Sequence, residues 1–156
     1  MTLIKKTNSN NLDFQVLVNL LDADLKVRDG DEHAFFAQYN KIDSLKNVVV
    51  CYVDDTPVGC GAFKEFDKTA VEIKRMFVQP AFRGKGIAKM VLNELEMWAK
   101  ELNYIACVLE TGKRQPEAIR LYTKAGYILI PNYGQYENVE TSVCFKKLIE
   151  HVPMNS

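Results

Sequence analysis

Apolar positions along this chain follow two different periods, and the change between them falls near Val48. Before that point Phe14, Leu17, Val18, Leu21 and Leu25 recur at the spacing of one helix face. A second short helix is expected over His33 to Asn40, with DGDE as the turn between the two. From Val48 the runs VVVCYV and VGCGAFKEF flank DDTP, the pattern of an antiparallel hairpin. A third strand is expected over Val71 to Val78, ended by Pro80. Beyond it Ile87, Val91, Leu92, Leu95, Trp98 and Leu102 fall on one face, the strongest helical signal in the chain.

The run YIACVLET that follows is continuously apolar, as in a strand buried on both faces. Pro116 then suits a first helical turn and Gly126 the end of that helix. Strands near Tyr127 to Ile130 and Thr141 to Leu148 close the pattern. Strand, glycine loop, helix, strand, helix, strand in that order predicts an α/β sandwich with at least one parallel crossover. At 156 residues the chain is expected to form a single domain.

Composition narrows the function classes. Lys plus Arg equals Asp plus Glu at 20 each, so no net field draws a polyanion, and nucleic acid is not expected as the partner. No apolar run reaches the length of a membrane span and MTLIKKTNSNN does not read as a signal peptide, which predicts a cytoplasmic protein without a membrane partner. Cys51, Cys60, Cys107 and Cys144 form no CxxC pair and only His33 and His151 accompany them, so buried reduced thiols are expected and no metal.

The candidate chemistry begins at RGKGIA, where a strand ends and a long helix begins. Backbone N–H groups are unpaired at such a helix start and the helix dipole favours an anion. Gly84 and Gly86 leave the backbone open to a phosphate, and Arg83, Lys85 and Lys89 add positive charge around it. An ordinary strand-to-helix turn with surface cations would look the same. The loop lacks the Lys-Ser/Thr ending of an ATP-binding P-loop and the third glycine of a dinucleotide fingerprint.

Two longer strings make the pattern specific. EIKRMFVQPAFRGKGIAKMVL resembles the core motif of GNAT acetyltransferases, and LETGKRQPEAIRLYTKAGY resembles the strand and helix that follow it in that family. The resemblance runs from about Val48 to Leu148. It implies a mixed, mostly antiparallel sheet with a splayed central strand pair and helices on both faces. It also implies transfer of acetyl from acetyl-CoA, as co-substrate, to a primary amine of a small molecule or peptide by direct attack. The alternative is a CoA-binding sensor of the same fold without turnover. Two positions depart from the family motif: Ala81 stands where Gln or Arg is common, and Gln115 where Asn is common.

Carried over residue by residue, the resemblance assigns the CoA pyrophosphate to Arg83, Gly84, Lys85, Gly86, Ile87 and Ala88. The pantetheine arm falls to the backbone of Met76, Phe77 and Val78 and to the Gln115 amide. Tyr122 becomes the acid for the departing sulfur, or else a core tyrosine beside Ala118 and Ala125. Glu72 becomes the general base, or else half of a cross-strand ion pair, and Glu110 is its competitor or a structural acceptor. Tyr133 and Tyr136 in PNYGQYEN are candidates for the acceptor pocket as exposed aromatics, or else cover the sheet edge; Phe35 and Tyr39 are candidates for the same pocket, with a core position the commoner one for Phe35. The acceptor's identity is not legible, and a homodimer is left open.

Overall fold

Seven strands hydrogen-bond in the order β1-β2-β3-β4-β5-β7-β6: β1 Thr2–Thr7, β2 Asn47–Val53, β3 Thr56–Glu65, β4 Ala70–Val78, β5 Ala106–Gly112, β6 Ile128–Ile130 and β7 Ser142–Leu148. Among the described residues three α-helices accompany them: α1 Leu12–Asp29, α2 Ile87–Glu101 and α3 Pro116–Lys124. The computed structural model describes residues 1–30 and 45–149. The helix expected over His33 to Asn40, with Phe35 and Tyr39, lies outside them. The sheet is mixed and mostly antiparallel; β4 and β5 form its parallel pair, which runs from Ala70↔Ala106 to Glu72↔Val108. The predicted α/β class and its parallel crossover are therefore present.

The chain divides into two compact units, Met1–Lys64 with Ile73–Leu95, and Glu65–Glu72 with Glu96–Ser156. In the first, α1 begins at Asn11, whose side chain accepts the Phe14 N–H at 2.9 Å. This caps a helix end that otherwise exposes unpaired donors. Phe14, Leu17, Val18 and Leu21 of α1 join Val48, Val50, Cys60, Ala62 and Phe77 in one buried cluster. Each large side chain so buried contributes ~1.5–3 kcal/mol. The DDTP hairpin forms as expected, with Asp54 and Asp55 at φ 48° and 69°, the two positive values that a tight two-residue turn requires.

Gly61 in β3 is fixed by close approach. A Cβ there would collide with the Met76 sulfur and come within 2.9 Å of Leu95 and Val91. Its absence lets α2 lie tight against the sheet. Strand β1 was not foreseen from the hydrophobic pattern. It pairs antiparallel with β2 from Thr2↔Val53 to Thr7↔Val48, but its side chains are exposed or half-buried, so TLIKKT carries little periodic signal.

In the second unit β5 pairs antiparallel with β7 from Ala106↔Leu148 to Gly112↔Ser142, and β6 pairs with β7. Pro116 opens α3 and Gly126, at φ 96°, follows its end, as predicted. Leu102 departs from its predicted place on the apolar face: it lies beyond the end of α2 and is 48% exposed, while Ala99 is buried there instead. Glu96 is a buried acid, satisfied by the Tyr127 hydroxyl at 2.9 Å and Lys147 Nζ at 2.8 Å. All four cysteines are buried and free.

Candidate active site

In the first unit, β4 is interrupted at Arg75, which has φ 58°. A non-glycine residue in the left-handed region inside a strand breaks the regular pleat. Met76, Phe77 and Val78 follow, the last two buried. Gln79 ends the strand by two bonds to β3: its backbone N–H donates to the Val58 carbonyl at 2.8 Å, and its side-chain amide donates to the Pro57 carbonyl at 2.8 Å. A short 3-10 turn over Pro80–Phe82 then leads to the loop.

Gly84 and Gly86 adopt φ 78° and 80°, and an added Cβ at either would meet nothing within 4 Å. Both positions favour glycine for their backbone conformation, and the space over both is open. The Gly86 carbonyl accepts the Met90 N–H at 3.1 Å, the first helical bond of α2. The N–H groups ahead of it have no intrahelical acceptor and point along the helix axis. Ile87, 4% exposed, anchors this end in the core. These features fit a pyrophosphate: open backbone, unpaired donors and the positive end of a helix dipole.

The cations around the loop are arranged differently from the simple ring that its sequence suggests. Arg83 folds back on β4, its Nε donating to the Val78 carbonyl at 2.9 Å and its guanidinium lying 5.7 Å from the centre of the Phe77 ring. It therefore braces the strand-to-loop corner as well as carrying charge. Lys85 Nζ lies 5.4 Å from the centre of the Phe82 ring, and Lys89 is exposed.

The second unit gathers the titratable candidates. Tyr133 donates its hydroxyl to Glu72 Oε2 at 2.7 Å, and Glu72 is 4% exposed. Ser142 donates its hydroxyl to Glu110 Oε2 at 2.6 Å. Tyr122 is buried on α3 with its ring edge-on to Tyr127 at 5.7 Å and tilted against Phe145 at 6.3 Å. Burial, reinforced by the negative charge of Glu110, pushes the Tyr122 phenol above its usual value. Tyr133 is pushed up in the same way, by burial and then by the Glu72 charge. Gln115 caps α3 without using its side-chain amide on the helix, which leaves that amide available to a ligand.

One expectation changes. Tyr136 is not an exposed aromatic: it is 2% exposed and its ring packs edge-on to Tyr133 at 6.0 Å. Tyr133 also packs on Phe66 at 4.9 Å. Sequence reasoning did not find Ser142 or the Tyr133–Glu72 bond, whose partners are 61 residues apart. Arg75 was also passed over; beside the half-buried Lys74 in β4, nothing in the sequence distinguishes it as the buried cation. Among the described residues no group of His, Cys, Asp and Glu is arranged to hold a metal, and no helix is long and apolar enough to cross a membrane.

Known proteins agree with this architecture. The model of the acetyltransferase (GNAT) family matches residues 14–127. An IAA acetyltransferase of Azospirillum brasilense is 40% identical over 82 residues, 52% of this chain and 54% of that protein. An uncharacterized N-acetyltransferase of Bacillus subtilis, YsnE, is 34% identical over 95 residues, 60% of this chain and 63% of that protein. The chain thus spans roughly half the length of such curated relatives. Among solved structures, a Klebsiella pneumoniae protein provisionally named an acyl-CoA N-acyltransferase superposes with TM-score 0.80 at 25% identity, over 96% of this chain and 98% of that one. The fold also matches the PaiA N-acetyltransferase of Thermoplasma acidophilum, solved with coenzyme A, with TM-score 0.70 at 17% identity over 95% and 99% of the two chains.

Fold and loop together define a mixed α/β chain whose glycine loop at the start of α2 is open to an anion. It belongs to the acetyltransferase (GNAT) family.

Proposed function

We propose that this chain is an enzyme that transfers acetyl from acetyl-CoA to a primary amine by direct attack. The observation that carries the reading is the Gly84–Gly86 loop, with both glycines left-handed and uncovered at the start of α2. Arg83 to Ala88 hold the pyrophosphate, while the backbone of Met76 to Val78 and the Gln115 amide hold the pantetheine arm. The amine nitrogen forms a bond to the thioester carbonyl carbon, and the carbon–sulfur bond then breaks. Glu72 takes the proton that the amine loses. Tyr122 gives a proton to the departing sulfur, a role that suits a phenol kept protonated by burial and by the Glu110 charge.

A small-molecule acceptor has support in the names of similar proteins, which include a human N-acetylaspartate synthetase, 37% identical over 79 residues, and an aminoglycoside 6'-N-acetyltransferase of the same fold. Four buried free thiols suit a reducing, cytoplasmic compartment. The test is thiol release from acetyl-CoA with a panel of amines, run beside thermal unfolding with and without CoA. Amine-dependent release with a raised melting temperature is the expected result. Stabilisation by CoA without release from any amine would mark a sensor, and no stabilisation at millimolar CoA would remove the reading.

A further inference from the structure

Arg75 carries two costs at one position. Its side chain is only 2% exposed, and its ionic partner among the described residues is Asp22 of α1, which accepts from Nη2 at 2.6 Å and is itself 49% exposed. Nε and Nη1 are buried without a hydrogen-bond partner among the described residues. A guanidinium cannot shed its charge, and each buried donor left unpaired is a penalty that folded proteins rarely tolerate. The backbone of the same residue is held at φ 58°, a conformation that persists in a non-glycine residue only where its surroundings enforce it. The thiol beside it does not balance the charge: Cys60 donates to the Arg75 carbonyl at 3.4 Å, and burial pushes Cys60 up to about 12, so it stays neutral.

The unpaired nitrogens flank the one that Asp22 takes, so an anion approaching either edge of the planar fork meets a free donor beside Nη2. A carboxylate matches that planar spacing. The position is separate from the pyrophosphate loop, since the rest of β4 and the Pro80–Phe82 turn lie between Arg75 and Gly84. Arg75 immediately precedes Met76, the first strand residue assigned to the donor's pantetheine arm, and a strand advances only ~3.3 Å per residue. Arg75 thus adjoins that segment in the chain, and its guanidinium lies against α1 at Asp22.

We propose that Arg75 recognises a carboxylate on the acceptor, so that the amine acetylated by this chain is an amino acid. This rests on the acetyltransferase reading above. Asp22 neutralises part of the charge in the empty protein and leaves the remaining donors for the ligand. Buried anion recognition of this kind also selects against acceptors that lack the carboxylate, because they would leave the same nitrogens unpaired.

The experiment uses the L-amino acids as probes, each beside its α-carboxamide, with L-glutamate and L-glutamine compared to separate an α-carboxylate from a side-chain one. Two readouts are taken: thiol release with acetyl-CoA, and calorimetric binding to protein saturated with unreactive CoA. The best amino acid should exceed its amide by about 10- to 100-fold in both. Arg75→Gln should erase that preference while the KM for acetyl-CoA stays within about twofold, and Arg75→Lys, which keeps a charge, should retain part of it. Equal use or binding of acid and amide by the unaltered protein overturns the proposal, whether or not the variants fold. So does a full preference surviving in Arg75→Gln, or a failure of every amino acid to bind. Carboxylate-dependent binding without thiol release from any amine would instead overturn the transferase reading and leave the site standing.

Discussion

Tyr133 holds Glu72: the phenol on the loop before β7 donates at 2.7 Å to a carboxylate on β4 that is almost wholly buried. The loop is thus tied to the proposed base and does more than line a pocket. Tyr133→Phe keeps the ring against Phe66 and removes the bond. Turnover should fall by about 10- to 100-fold, the worth of one hydrogen bond to a charged group, with the acetyl-CoA KM unchanged. In a double-mutant cycle with Glu72→Ala the losses should be strongly non-additive, because either substitution removes the same contact. Additive losses would show that Tyr133 acts elsewhere.

Tyr122→Phe separates acid from core. The ring contacts with Tyr127 and Phe145 involve no hydroxyl, so the variant should fold and bind acetyl-CoA as before. Its kcat should drop by about 10²- to 10⁴-fold if the proton passes from this phenol. Since burial and the Glu110 charge both hold the phenol protonated, the unaltered enzyme should show no loss of this acid as pH rises from 7 to 9. A variant with unaltered kcat returns Tyr122 to a packing role.

Much of the fold was legible because the strong signals are local. The apolar face of α2, the DDTP turn and the Pro116 and Gly126 boundaries each need only a few neighbouring residues. The loop was legible for the same reason, since glycine at positive φ is written into the sequence itself. Strand β1 was hidden because an exposed edge strand need not alternate, and Tyr136 was misjudged because a loop position says nothing about what packs over it. The Tyr133–Glu72 and Ser142–Glu110 bonds join residues 61 and 32 positions apart. No spacing rule reaches that far.

Alkaline pH should destabilise the protein through its buried thiols. In the unfolded chain Cys60 loses its proton near 9.0, whereas burial, opposed by the charge of Arg75, raises it to about 12 in the folded state. Between those values the folded state binds more protons, so stability falls as pH rises, by up to ~1.4 kcal/mol per pH unit for one thiol. Cys60→Ala should cost stability at pH 7.5 through the lost packing. The gap from the unaltered protein should then narrow at pH 10, measured by denaturant unfolding in reductant. A gap independent of pH would mean that Cys60 is not the titrating group.

Replacing both Gly84 and Gly86 by Ala tests the loop at its origin. No atom lies within 4 Å of either added Cβ, so steric clash is not the source of any loss. The cost is conformational: each alanine must hold φ near 80°, at a penalty of roughly 1 kcal/mol or more. The loop can relieve that strain by rotating into ordinary backbone regions, because both glycines are exposed and the space over them is open among the described residues. Such rotation turns the amides away from the helix axis and places methyl groups over the space offered to phosphate. Melting temperature should therefore fall by only a few degrees, while CoA affinity falls by at least about 10-fold, a loss of about 1.4 kcal/mol. Calorimetric titration with CoA, run well below the variant's melting point, separates the two effects. Affinity retained within about twofold would show that the pyrophosphate does not rest on this backbone.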